Sequence, residues 1–116
     1  MNSNIYNIKG IAAFANGDPK TLRKILVLFI QSTSQNLQLF NHYLQKEDFK
    51  ALSDLAHKML AMFRQLDAEA VIEPLSILEM NNFENSDLDH WKKIAETALI
   101  NMEHLVTKLK EDYQIS

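Results

Sequence analysis

The sequence predicts an all-α protein: an antiparallel, up-and-down four-helix bundle with a short additional N-terminal helix. Three observations carry this prediction. Only two glycines and two prolines occur in 116 residues, and these are the residues that most often interrupt helices. Leu, Ala, Lys, Glu and Gln, which lose little on entering a helix, are abundant. Apolar residues recur at three- and four-residue spacing instead of alternating, which is the period of a helix face and not of a strand.

The first helix is short, with Ile8, Ile11, Ala12 and Ala15 on one side, and it ends at Asn16-Gly17, where the glycine is suited to a left-handed C-terminal cap. Asp18 then reads as an N-cap and Pro19 as a first helical residue, because the proline's missing N–H would have had no intrahelical acceptor. The second helix runs to about Leu44 and turns Leu22, Ile25, Leu26, Phe29, Thr33, Leu37, Phe40 and Leu44 inward. Val27, Leu28 and Ile30 add apolar surface to its first half, which the short helix is expected to cover. A third helix extends from near Asp48 to about Leu66, burying Phe49, Leu52, Leu55, Ala56, Met59, Phe63 and Leu66. A fourth holds Val71, Leu75 and Leu78 on one side. Starting it near Val71 keeps Pro74 in the first turn, where N–H groups are unbonded anyway. Ser86 with Asp89 resembles a capping box opening a fifth helix, whose seam is Leu88, Trp91, Ala95, Ala98, Met102, Leu105 and Leu109. Four long helices with short connections favour up-and-down packing.

Composition narrows the function. A chain this long suits a single domain over residues 1–116, with one small working surface. Apolar residues make up 47% of it, yet the longest run, Ile25 to Ile30, falls far short of the roughly 18 residues of a membrane span. The N-terminus lacks the basic start and apolar core of a secretory signal, so a cytoplasmic setting is expected. Without cysteine there is no disulfide, thiol nucleophile or thiolate metal site. A net charge of −3, and no basic block longer than Lys92-Lys93, argue against nucleic acid as a partner. Gly10 and Gly17 cannot build a nucleotide-binding loop. His42, His90 and His104 have no spacing that pairs metal ligands on one helical turn, so no metal site is expected.

His57 is different. At 100° per residue the inward set of the third helix clusters within about 60° of Leu52, whereas His57 lies about 140° away and faces solvent. Its stripe carries Lys50, Ser53, Asp54, Leu60, Ala61 and Arg64, and Ala61, one turn on, leaves room for another protein surface. Periodicity alone gives such a histidine no task, since exposed histidines are common.

The segment Leu55-Ala56-His57-Lys58-Met59-Leu60-Ala61, continued by Leu66-Asp67-Ala68 and then Leu75, Leu78 and Glu79, resembles the signature of histidine-containing phosphotransfer (HPt) domains. Tyr6-Asn7-Ile8, Gly17-Asp18 and the helix residues ending in Phe29 resemble the opening of such domains. The family pattern has lysine where this chain has Leu60, glycine at Ala61 and glycine at Asp67. The resemblance implies a phosphorelay intermediate of two-component signalling, a phosphocarrier with no ATP-dependent kinase activity of its own. It would accept a phosphoryl group on His57 from a receiver-domain aspartate and pass it to another receiver. The partners implied are receiver domains of a hybrid histidine kinase or a response regulator, and the start near the first helix suits a C-terminal module of such a kinase. No cofactor of its own is implied, as the receiver brings the Mg²⁺.

In that family the neutral imidazole attacks through Nε2, and the lysine one turn on offsets the new charge. Leu60 cannot do so, which leaves Arg64, Lys50 and Lys58 as candidate phosphate-stabilising cations, with Arg64 first because a guanidinium is long and binds phosphate oxygens in pairs. Asp54 is placed to accept the Nδ1 proton or to act through its charge, and Ser53 either joins the site or bonds its own helix. Docking is expected around Leu60 and Ala61, ringed by Ser53, Lys58 and Arg64. An HPt-like module that docks receivers without phosphotransfer is the alternative. A sensor-kinase dimerisation hairpin would place an acidic residue directly after the histidine, where this chain has Lys58.

Overall fold

Capping decides where each helix starts and stops. The computed structural model describes residues 5–80 and 88–115, all of whose regular structure is helical: α1 (Lys9–Phe14), α2 (Pro19–Gln45), α3 (Phe49–Arg64), α4 (Glu69–Met80) and α5 (Leu88–Tyr113). Asp18 caps α2 as expected, accepting from the Lys20 amide at 3.3 Å and from the Thr21 hydroxyl at 2.6 Å, and Pro19 follows as the first helical residue. Asp48 caps α3 through the Ala51 amide at 3.2 Å. Ser86 lies outside the described residues, and so does the capping box expected of it.

Four helices close in the same way. Asn16, Glu47, Asp67 and Gln114 each take a positive φ, between 49° and 55°, and the next amide reaches back five residues: Gly17 to Ala12, Asp48 to Tyr43, Ala68 to Phe63 and Ile115 to Lys110, at 2.9–3.2 Å. This is the Schellman closure, which satisfies carbonyls that the helix end leaves orphaned. Asn16 therefore takes the left-handed position that the sequence suggested for Gly17, and Gly17 (φ 74°) extends it. Asp67 suits its place in this closure. The position demands a left-handed backbone, which glycine enters freely and aspartate with less strain than most other residues.

Around one core, α2 packs on α3 and α5, while α4 packs on α3 and α5. Every expected inward residue of α3 except the half-buried Phe49 is buried, as are Trp91, Ala95, Ala98, Met102, Leu105 and Leu109 of α5. Phe29 meets Phe63 edge-on at 5.5 Å, which links α2 to α3 through the core. The expected cover over α2 is partial: Ile30 is buried and Val27 half-buried, but Leu28 is 65% exposed. No helix among the described residues is long and apolar enough to cross a membrane.

The start of α4 corrects the sequence reading. The helix begins at Glu69, not Val71, so Pro74 stands in its second turn and cannot donate to the Ala70 carbonyl. Asn101 of α5 supplies the missing donor, its side-chain amide reaching that carbonyl at 2.8 Å. Asn101→Ala is expected to lower stability by about 1 kcal/mol. The cost should shrink in the background of Pro74→Ala, where the backbone N–H returns, and a double-mutant cycle by urea denaturation measures this.

The N-terminal segment is pinned to the far end of α5. The Tyr6 hydroxyl donates to the Asp112 carboxylate at 2.6 Å, and the Asn7 amide donates to the Leu66 carbonyl at 2.7 Å. Arg23 donates to the Tyr113 and Gln114 carbonyls at the end of α5. The Tyr6 hydrogen bond, joined by Lys108, holds the Asp112 carboxyl below the usual carboxylate range. A lowered folded-state value means that this contribution is complete above the unfolded-state range and is lost as pH falls through the folded-state value. Acid titration is thus expected to weaken this tether as pH falls below the ordinary carboxylate range, and Tyr6→Phe should flatten that part of the stability profile.

Candidate functional site

On α3, residues 53, 57, 61 and 64 fall in one stripe at the helical repeat, away from the core row formed by Leu52, Ala56 and Met59. The His57 side chain is 73% exposed. Its Nδ1 is hydrogen-bonded to the Glu79 carboxylate, carried by the penultimate residue of α4. The short Gln65–Ala68 turn reverses the chain and lays α4 along this flank of α3, bringing together two residues 22 positions apart. A carboxylate oxygen only accepts, so Nδ1 carries the hydrogen and donates it, and whenever the ring is neutral its lone pair lies on the opposite atom, Nε2.

Ser53 completes the link. Its hydroxyl donates to the Glu79 main-chain carbonyl at 3.2 Å. A single residue of α4 is thus held by its backbone to Ser53 and holds His57 by its side chain. Of the two roles open to Ser53, bonding its own helix is replaced by a bond across to α4. Asp54 does not serve His57 either. It pairs with Lys50 at 3.4 Å on the exposed surface, so the acceptor at Nδ1 is Glu79.

Leu60 requires a correction. It was expected on the exposed stripe as an apolar docking point, but it is fully buried. At about 60° from His57 it lies on the α4 flank, and α4 covers it, which extends the core row Leu52, Ala56, Leu60, Phe63. A lysine here would have to leave that packing. Ala61 is exposed, as are Lys58 and Arg64, and neither cation has an ion-pair partner among the described residues. Exposed apolar surface is found instead on neighbouring elements: Phe14 is 82% exposed and lines a groove with Ile11, Ile25 and Gln65, the last of these one turn beyond Ala61.

The described residues contain no group of three or more His, Asp or Glu side chains arranged to hold a metal ion. Sequence reading singled out His57, Ser53, Ala61, Lys58, Lys50 and Arg64 but assigned no role to Glu79. The available signal was the Leu78-Glu79 pair, whose distance along the chain hides its proximity. Compared with family models, curated proteins and solved structures, the chain matches none.

Proposed function

We propose that this chain is a phosphorelay intermediate of the HPt type, in which α2 to α5 form an up-and-down four-helix bundle and His57 carries the phosphoryl group between receiver domains. The observation that carries the reading is the hydrogen bond between His57 Nδ1 and Glu79 on an otherwise open surface. A histidine left in water exchanges freely between tautomers. One whose Nδ1–H is held by a carboxylate presents Nε2 as a nucleophile without a dedicated base.

The step balances without a proton transfer. The Nε2 lone pair attacks the phosphorus of a receiver's aspartyl phosphate, the Nε2–P bond forms, the P–O bond to the aspartate breaks, and the carboxylate leaves with that electron pair. The ring keeps its Nδ1 hydrogen and becomes cationic, and the Glu79 carboxylate opposes that charge. Donation to the next receiver reverses these events. Mg²⁺ bound by the receiver supplies most of the phosphate electrostatics, while the bundle supplies position.

The docking surface combines Ala61 with the apolar groove at Phe14 and Ile25, and Leu28 one turn further along α2. Arg64 is the phosphate-facing cation. Helical side chains lean toward the N-terminus, which carries Arg64 back over Ala61 toward His57, whereas Lys50 is occupied by Asp54. Arg64→Ala is expected to slow transfer about tenfold and Lys58→Ala much less. Equal rates for the two in a rapid-quench assay would remove Arg64 from the site.

A second reading, docking without phosphotransfer, is favoured by one observation: the position one turn after His57 is a buried leucine and offers no charge. Incubation with a phosphorylated receiver separates the two. Transfer of label to this chain, as an acid-labile and alkali-stable adduct, supports the relay. Binding without label supports docking alone.

A further inference from the structure

We propose that Ser53 is a positioning residue of the His57 site: by holding the Glu79 main chain it sets how far α4 lies along α3, and so keeps the Glu79 carboxylate level with the imidazole Nδ1. The inference deepens the phosphorelay reading and rests on it only for its kinetic consequence.

The directions of the groups make one residue span both contacts. Ser53 and His57 are four residues apart on α3, so they lie on the same flank about 6 Å apart along the helix axis. Both bond to Glu79, Ser53 to its main-chain carbonyl and His57 to its carboxylate. Because α4 starts just beyond the end of α3 and its penultimate residue comes back to Ser53 and His57, the two helices run antiparallel. Helical carbonyls point toward the C-terminus of their helix, and side chains lean toward its N-terminus. The Glu79 carbonyl is therefore aimed toward the start of α3, where Ser53 meets it, and the Glu79 side chain toward the end of α3, where His57 meets it.

Apolar packing alone does not fix this register. Leu75 and Leu78 are fully buried and hold α4 against the core, but hydrophobic contact is non-directional and tolerates small sliding, whereas a hydrogen bond is lost within a few tenths of an ångström. Pro74 removes one backbone hydrogen bond from this short helix, and Met80, which follows Glu79, is 81% exposed and adds little hold. A serine inside a helix ordinarily bonds back to its own preceding turn. Ser53 instead spends its hydroxyl on the neighbouring helix, at the residue that orients His57. Without that hydroxyl the end of α4 is free to shift, the carboxylate leaves Nδ1, and the ring hydrogen can move to Nε2, where it blocks attack.

The test is ring ¹⁵N spectroscopy of the intact chain at alkaline pH, where an imidazole is neutral, with circular dichroism to confirm folding. In Ser53→Ala the Nδ1–H share of His57 is expected to fall to a mixture between those of wild type and Glu79→Ala. Added to Glu79→Ala, the same substitution should change nothing further, because Ser53 acts through Glu79. Labelling of His57 by phosphoramidate, in which the Nε2–P bond forms, the P–N bond breaks and ammonia leaves, should slow about threefold in Ser53→Ala, within what one hydrogen bond is worth. A wild-type tautomer in Ser53→Ala overturns the proposal. So does an equal change in the Glu79→Ala background. If the tautomer shifts as stated but His57 takes no label in any variant, the phosphorelay reading fails and the positioning role stands.

Discussion

If His57 carries the phosphoryl group as proposed, Glu79→Ala is expected to slow transfer to it by about 10–100-fold, the range seen when the carboxylate partner of a metal-ligating histidine is lost, whereas His57→Gln should abolish transfer. The alanine variant leaves Nδ1 without its acceptor, so the ring is free to rotate and to move its hydrogen onto Nε2, where it blocks attack. The phosphorylated ring also loses the charge that opposes it. Glu79→Gln separates these contributions. Its amide oxygen still accepts from Nδ1–H and keeps the tautomer, but it carries no charge, and a neutral acceptor makes the weaker bond. Its rate should fall between those of wild type and Glu79→Ala. Histidine ring ¹⁵N chemical shifts provide a readout that a merely structural role would not move: the wild type and Glu79→Gln should show the Nδ1–H tautomer, and Glu79→Ala a mixture. Unchanged shifts and rates in Glu79→Ala would remove the pair from the mechanism.

Thr33→Val is expected to stabilise the protein by about 1–2 kcal/mol. Thr33 lies in the inward row of α2 and is fully buried, and its hydroxyl has no hydrogen-bond partner among the described residues. A buried hydroxyl that has given up water without gaining an acceptor carries its whole desolvation cost. Valine has nearly the same shape without that oxygen, and both are β-branched, so the exchange leaves helix propensity and packing almost unchanged. Thermal unfolding should show a midpoint higher by several degrees, with about 4 °C per kcal/mol appropriate to a domain of this size. A lower midpoint would mean that the hydroxyl has a partner in solution, such as a trapped water. Since Thr33 is in the core and not on the exposed stripe of α3, transfer rates should not change.

Helix identity was legible because the information is local. Apolar spacing marked the buried rows of α3 and α5, and Asp18-Pro19 and Asp48 marked where α2 and α3 begin. Where the reading failed, a neighbouring helix decided the outcome. The apolar spacing alone puts Pro74 in a first turn, but Asn101 from α5 supplies the donor that Pro74 lacks, and α4 starts earlier. On an isolated helix Leu60 stands only about 60° from His57 and would share its exposure. On α3, which is packed along two flanks, the buried arc is wider than the apolar stripe suggests, and α4 closes over it.

The same division runs through the site. The sequence by itself determined that His57 faces outward, because a helix turns by a constant angle and the apolar row sets which side is buried. It also determined the open position at Ala61 and the cations along the stripe. Only the tertiary structure decided that Glu79, not Asp54, holds the imidazole, that Ser53 ties down the end of α4, and that Leu60 belongs to the core. Periodicity reports on one helix at a time, whereas a hydrogen bond between two helices depends on the turn that reverses the chain and on the depth at which the helices pack, and neither is written in the spacing of either helix.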